Sequence, residues 1–405
     1  MSERIMEGYP PRPETQVTLA NWRTAPFNQW AFHHVREILP TADIPHDPLN
    51  VRELSVKPAA LERLRITGAR GEELTLDQAL EATSTDGLVV LHKGSIVLER
   101  YFNAMTERSP HILMSVSKSM LGLIAGILVG HGVLNVSRLV TDVIPELKGT
   151  AWSGATLMQL LDMQSGVAFN EDYLAVSGPI IAYRKAAGWN PLESGEQPSD
   201  LRSFFQELRE SDGPHGGRFW YASPNTDLLG WVIERVTGKR YADLVSELLW
   251  QRIGAAESAY ITVDRLGAPR TAGGMCATTR DLARVGLMVI DGGAHRGRQV
   301  VPSAWIEMIT DAGDPQAWAR GNLASYYPGV PIHYRAKWYV DRRVPKVLFC
   351  LGIHGQNLFV DADNDMVIAK FSSQPQPLDV DGMGLIGKLV SALRQELTDR
   401  PRHRP

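Results

Sequence analysis

The strand-forming runs of this 405-residue chain fall into two groups separated by a long stretch of helical spacing, and that separation limits the folds open to it. Gly87 to Leu91 and Ser95 to Phe102 are rich in β-branched and apolar residues. Joined by His92-Lys93-Gly94, they read as a hairpin in which Gly94 supplies an unusual turn dihedral. Strand-like runs return at Val347 to Leu351, Asn357 to Val360 and Met366 to Ser372, and Asp361-Ala362-Asp363-Asn364-Asp365 marks a turn between the last two. Between the groups, Ser115 to His131, Thr156 to Met163, Thr226 to Thr237, Tyr241 to Arg252 and Thr279 to Ile290 read as helices, several with glycine just past the end. Leu385 to Leu397 closes the chain as an amphipathic helix.

The fold class expected is therefore α+β. An antiparallel sheet is built from both ends of the chain and flanked by helices, a mainly helical lobe stands beside it, and the site lies in the cleft between them. The expected boundaries are 1–86 for an amino-terminal wrap with one helix at Asn28 to Leu39, 87–114 together with 293–405 for the sheet lobe, and 115–292 for the helical lobe.

Composition narrows the partners. Lys plus Arg total 42 against 45 Asp plus Glu, a formal net charge of −3, so there is no cationic excess for nucleic acid. With 44% hydrophobic and 21% charged residues the chain is expected to bury a core. Cys276 and Cys350 belong to no C-x-x-C and no Cys/His cluster, which excludes a disulfide framework and a zinc ribbon. The amino-terminal MSERIMEGYPPRPETQ has acidic residues and prolines where a signal peptide needs an apolar segment, so a cytoplasmic location is expected. Met120 to Val133 is broken by glycines and His131 and is shorter than the roughly 20 residues of a spanning helix, so it reads as buried rather than as a membrane contact. Phosphate-loop, dinucleotide, nucleophile-elbow and zincin motifs are all missing, and neither metal nor organic cofactor is expected.

Chemistry concentrates in three places. Met114-Ser115-Val116-Ser117-Lys118-Ser119 holds the chain's S-x-x-K at the start of the apolar helix. Residues i and i+3 share a helix face, so the Ser115 hydroxyl and Lys118 amine meet locally, and the unpaired N–H groups of the helix start disfavour charge on the lysine. A serine cap followed by a surface lysine would give the same four residues, but the apolar run after Lys118 argues for a buried pair. Shifted down from its usual pKa near 10.4, a neutral lysine serves as base to a serine nucleophile. Tyr221 precedes a Ser-Pro-Asn turn and a new helix. By itself it reads as a core tyrosine; as partner to Ser115 and Lys118 it becomes a proton carrier, with a phenolate beside the lysine. Gly352-Ile353-His354-Gly355-Gln356 follows a strand, and its backbone could aim an N–H at an oxyanion or be no more than a glycine-relieved strand end. His354 as general base has no identifiable acidic partner and ranks below the Ser-Lys-Tyr scheme.

The order S-x-x-K, Tyr-small-polar, Gly-rich strand resembles that of the serine β-lactamase and penicillin-binding-protein-like superfamily, in its esterase and class C branch. Leu160-Leu161-Asp162-Met163-Gln164-Ser165-Gly166 and Leu228-Leu229-Gly230 match its supporting stretches. A closer resemblance is to the 6-aminohexanoate-dimer (nylon oligomer) hydrolases and related carboxylesterases, through Asn28-Gln29-Trp30-Ala31-Phe32, Asn170-Glu171-Asp172-Tyr173, Arg280-Asp281-Leu282-Ala283-Arg284-Val285-Gly286 and Gly352 to Leu358. It implies Ser115 as nucleophile, Lys118 as base, Tyr221 as proton carrier and the N–H groups of Ser115 and Ile353 as oxyanion hole. It also implies Tyr173 on the substrate amide, Trp189 on a mobile segment over the pocket, and Arg184, Ala272 and His354 near the substrate. Ser223 replaces the class C Asn, and Phe349-Cys350-Leu351-Gly352 lacks the lysine of K-T-G, so poor turnover of β-lactams is expected. Arg184 stands where the resemblance implies an acidic residue for an ammonium end, and Ala272 where it implies an Asn, which opposes a cationic substrate end. The expected activity is a serine hydrolase cleaving carboxylic esters and, secondarily, linear amides. The substrate is a small molecule, and a homodimer is compatible with the sequence. β-Lactamase activity, D-aminopeptidase-like activity and a non-catalytic binding role are the alternatives.

Overall fold

The computed structural model describes residues 4–398; Met1 to Glu3 of the amino-terminal stretch and residues 399–405 of the expected sheet lobe lie outside the described residues. Its main sheet has eight strands: β1 (Ser55–Val56), β2 (Thr85–His92), β3 (Ser95–Tyr101), β4 (Ile332–Arg335), β5 (Trp338–Asp341), β6 (Val347–Gly352), β7 (Gln356–Asp361) and β8 (Met366–Ser372). They lie in the order β4-β5-β6-β7-β8-β2-β3-β1, so both ends of the chain meet where β8 pairs with β2. All neighbours are antiparallel except β1 and β3.

Lys93 (φ 51°) and Gly94 (φ 73°) make the β2–β3 turn, a pair of left-handed residues that matches strand twist. The strands are apolar almost throughout because both faces are covered. Val89, Leu91 and Ile96 face the large core, whereas Leu88, Val90, Val97 and Leu98 face a second core with the carboxy-terminal helix.

Four helices frame the site. They are α1 (Val116–Gly130), α2 (Pro224–Thr237), α3 (Thr279–Ile290) and α4 (Val380–Thr398). In α1, Val116 to Leu128 are all buried, which accounts for a run apolar on every side. Proline opens α2 and Gly238, at φ 67°, ends it. Although α3 falls within 115–292, it packs on β8, β7 and β2 and so belongs with the sheet. A second sheet, Thr41–Ile44, Ala259–Thr262, Met275–Ala277 and His111–Ile112 in that order, supports the approach to α1.

Three helical expectations change in detail. Asn28 to Leu39 forms a turn at Asn28–Ala31 and a 3-10 turn at Val35–Glu37, because the Asn28 amide is drawn to the carbonyls of Ser373 and Gln374. Thr156 to Met163 shortens to Leu157–Leu161, capped by Thr156, with Met163 turned to φ 54°. Tyr241 to Arg252 is α-helical over Tyr241–Val245 and widens to a π-helix at Ser246–Trp250.

Gly122 sets how closely α1 approaches the β4–β5 turn, since a Cβ there would stand 2.1 Å from the Ala336 carbonyl oxygen. Gly to Ala inside a helix ordinarily stabilises by about 1 kcal/mol. Gly122→Ala is expected to destabilise instead, by roughly 1–3 kcal/mol, through overpacking. Thermal denaturation checks the sign, and a raised Tm would contradict the packing described.

Candidate active site

Ser115 sits where the second sheet hands over to α1. Leu113 donates its N–H to the Met275 carbonyl, Met114 takes a left-handed conformation at φ 44°, and Ser115 occupies the helix N-cap. That constrained turn presents the Ser115 hydroxyl at the helix start. From one turn along, Lys118 Nζ reaches back to Ser115 Oγ at 2.8 Å and to the Ala272 carbonyl at 2.7 Å. Lys118 is 1% exposed and forms no salt bridge among the described residues. Burial, with Arg270 adding repulsion against the pull of Glu171 and Asp227, pushes its amine down to about 8. The expectation of a depressed lysine thus has a physical cause beyond the helix end.

Tyr221 comes from the loop before α2, fixed by its N–H on Asn322 Oδ1 at 2.9 Å. Its ring centroid is 4.9 Å from Lys118 Nζ, and its phenol lies beside the Ser115 hydroxyl. Burial first, and Glu171 second, drive its pKa upward, while the Ser115 hydroxyl opposes them. These environments favour the neutral phenol of Tyr221 over the phenolate considered from sequence.

On the other side of Ser115, β6 ends at Gly352, where a Cβ would come within 2.8 Å of the Leu113 carbonyl oxygen. Glycine there lets the strand end close against the nucleophile's own segment and brings Ile353 to both cavities beside Ser115. Among the described residues, neither the Ser115 nor the Ile353 N–H donates to a backbone carbonyl outside the regular elements. His354 departs from expectation. Held at φ 62°, it turns its ring inward, edge-on to Phe32 at 5.2 Å, with Nδ1 bonded to the Gln374 carbonyl at 2.7 Å. It lines neither cavity, and burial lowers its pKa to about 4, so it is a neutral packing residue rather than a base or substrate contact.

Two cavities meet at Ser115. One, of about 80 Å³, is walled by Tyr221, Tyr326, Tyr327, Tyr339, Leu351 and Met383 among others. The second, of about 30 Å³, is lined by Arg23, Glu171, Arg184, Trp189, Arg270 and Ala272. Tyr173 borders both, with its hydroxyl on Glu171 Oε1 at 3.1 Å. Trp189 does not sit on an open flap. It is 4% exposed, bonds Thr262 Oγ1 at 3.1 Å and packs edge-on against Trp22 at 5.2 Å. Ala272 acts through its backbone, its carbonyl on Lys118 and its N–H on Asp227 Oδ1 at 2.6 Å.

Sequence reading missed the acid–arginine frame behind these groups. Asp227 pairs with Arg270 and accepts the Tyr183 hydroxyl at 2.5 Å. Glu171 accepts the Ser223 N–H at 2.7 Å and its hydroxyl at 2.5 Å. Asp227, one turn into a helix that opens with proline, and Glu171, two residues before Tyr173, carried no spacing signal that would single them out. Among the described residues, no group of three or more His, Cys, Asp and Glu is placed to hold a metal, and no helix is long and apolar enough to cross a membrane.

The beta-lactamase family model matches residues 73–388. The 6-aminohexanoate-dimer hydrolase of Paenarthrobacter ureafaciens is 38% identical over 371 residues, covering 91% of each chain. A Bacillus anthracis protein provisionally assigned as a 6-aminohexanoate-dimer hydrolase superposes with a TM-score of 0.88 at 28% identity, covering 97% of this chain and all of that one. A family VIII carboxylesterase shares the fold, with a TM-score of 0.59 at 17% identity over 84% of this chain and 100% of its own. The chain thus belongs to the beta-lactamase family of serine hydrolases, in the branch of the 6-aminohexanoate-dimer hydrolases.

Proposed function

We propose that the protein cleaves carboxylic esters, and linear amides more slowly, through an acyl-enzyme on Ser115. The observation that carries this reading is the 2.8 Å contact between Ser115 Oγ and a buried Lys118 amine with no carboxylate partner. In its neutral form Lys118 takes the Ser115 proton as Oγ attacks the substrate carbonyl, while a second N–H stays on the Ala272 carbonyl. The N–H groups of Ser115 and Ile353 receive the oxyanion. As the tetrahedral species collapses, Tyr221 gives its proton to the departing oxygen or nitrogen and is reprotonated from Lys118. Water then attacks the acyl-enzyme by the same route in reverse. Tyr173 and Trp189 border the bound substrate, with Arg184 beside them. Buried, unpaired Cys276 and Cys350 suit a reducing cytoplasm.

Ester turnover comes first because an alkoxide leaves more readily than an amine, and because Arg184 opposes the ammonium end of a 6-aminohexanoate oligomer. β-Lactam turnover is placed low, since Ser223 is occupied by Glu171 and the strand at Phe349 to Gly352 offers no cation to a β-lactam carboxylate.

Ser115→Ala is expected to abolish hydrolysis of short-chain 4-nitrophenyl esters without changing the circular dichroism spectrum; retained turnover would reject the nucleophile. Lys118→Ala and Tyr221→Phe are expected to lower kcat by about 10²-fold or more, with KM little moved. A change confined to KM would remove them from the chemical step. Because the Lys118 pKa is depressed to about 8 and the neutral amine is the base, kcat/KM is expected to rise about tenfold per pH unit up to pH 8 and then level off. A flat or falling profile between pH 6 and 9 would contradict that role. Finally, Arg184→Asp combined with Ala272→Asn is expected to raise the rate on 6-aminohexanoate dimer, and no gain would overturn the pocket argument.

A further inference from the structure

The charged cavity beside Ser115 carries more positive charge than its surroundings use. Three guanidinium groups line it, from Arg23, Arg184 and Arg270, against Glu171 in the wall and Asp227 behind Arg270. The oxygens of Glu171 are taken by Ser223 and Tyr173, neutral donors, and Asp227 is committed to Arg270, Tyr183, Thr271 and Ala272. Neither Arg23 nor Arg184 forms a salt bridge among the described residues. Arg23 bonds the Asn190 side chain, and Arg184 donates Nη2 to the Tyr173 carbonyl at 3.1 Å. Moreover, the Nε–H groups of Arg23 and Arg270 are buried without a hydrogen-bond partner, and Arg270 as a whole is only 6% exposed.

Such donors are costly to bury and leave unmade. The arginines are held there by aromatic faces. Arg270 lies over Tyr183 at 4.2 Å and Trp189 at 4.9 Å, and Arg23 over Trp22 at 5.4 Å and Trp189 at 5.8 Å. Between them the wall is apolar, formed by Met114, Ile180 and Trp189. Planar cations set in an apolar wall match a carboxylate at the end of a short methylene chain.

We infer that this cavity is a carboxylate subsite for the acyl side of the substrate, so that the preferred substrates are esters or linear amides whose acyl group bears a free carboxylate a few methylenes from the scissile carbonyl, read chiefly by Arg184 with Arg23 and Arg270. This rests on the reading of Ser115 as the hydrolytic nucleophile. The mutual repulsion of the arginines points the same way. Burial, then Arg184 and Arg270, push Arg23 down to about 9, a penalty that a bound anion relieves.

The test compares matched probes on the intact protein. On the acyl side these are mono(4-nitrophenyl) glutarate and adipate, their primary-amide-capped counterparts, and 4-nitrophenyl 6-aminohexanoate. The carboxylate probes are expected to exceed their capped counterparts by about tenfold in kcat/KM, with the ammonium probe lowest. Arg184→Glu is expected to invert the order, whereas a merely structural defect would lower all probes together and leave the ratios unchanged. Ester hydrolysis without a carboxylate preference, or a preference that survives Arg184→Glu, would overturn the subsite and leave the hydrolase reading intact. Absence of turnover on every probe, with no labelling of Ser115 by a fluorophosphonate, would instead defeat the hydrolase reading.

Discussion

The burial of the Lys118 amine without a carboxylate beside it is the constraint on which the rest of the site depends. Moving the amine from its usual pKa to about 8 corresponds to roughly 3 kcal/mol withheld from its charged form. Since an unfolded chain would bind that proton more readily, the cost weighs fully below about pH 8 and fades as pH rises toward 10.5. Only a well-packed framework sustains it. Apolar α1, the Gly122 contact with the β4–β5 turn and the Ala272 carbonyl together hold the amine against Ser115 and away from water.

The electrostatics on the two sides of Ser115 diverge, and the fold explains why. Tyrosines from the loop at 323–327 and from β5, with Leu351 of β6, build much of one cavity, and among its lining residues only Asp379 is charged. The amino-terminal wrap, the helix at Pro179–Ala186 and the Arg270 loop build the other, and each contributes an arginine. A scissile carbonyl on Ser115 is thereby placed between a weakly polar chamber and a cationic one. The protein's near-neutral overall charge conceals this local asymmetry.

Much of this arrangement was legible in the sequence where one local rule governs. The β2–β3 hairpin, α1, α3 and strands β6 to β8 follow from periodicity and turn residues, and Ser115 with Lys118 follows from helix spacing. Strands β4 and β5 escaped because their turn, Ala336-Lys337, adopts left-handed dihedrals of 46° and 71° without glycine, asparagine or aspartate. Short helices such as Leu201–Glu207 escaped because tertiary packing, rather than a long apolar period, sustains them. His354 shows the opposite failure. A histidine in a glycine-rich loop beside the nucleophile invites a catalytic role, yet a single positive φ turns it into the core. Glu171, Asp227, Arg23 and Arg270 become a frame only when distant segments are brought together, which no single-sequence spacing encodes.

Direct titration of the Lys118 amine tests the central claim. In protein carrying ¹³Cε,¹⁵Nζ-labelled lysine, with Lys118→Arg used to assign the resonance, the amine is predicted to titrate with a midpoint near 8. A midpoint near the ordinary 10.5 would mean that Lys118 stays charged throughout the working range and cannot be the base that activates Ser115.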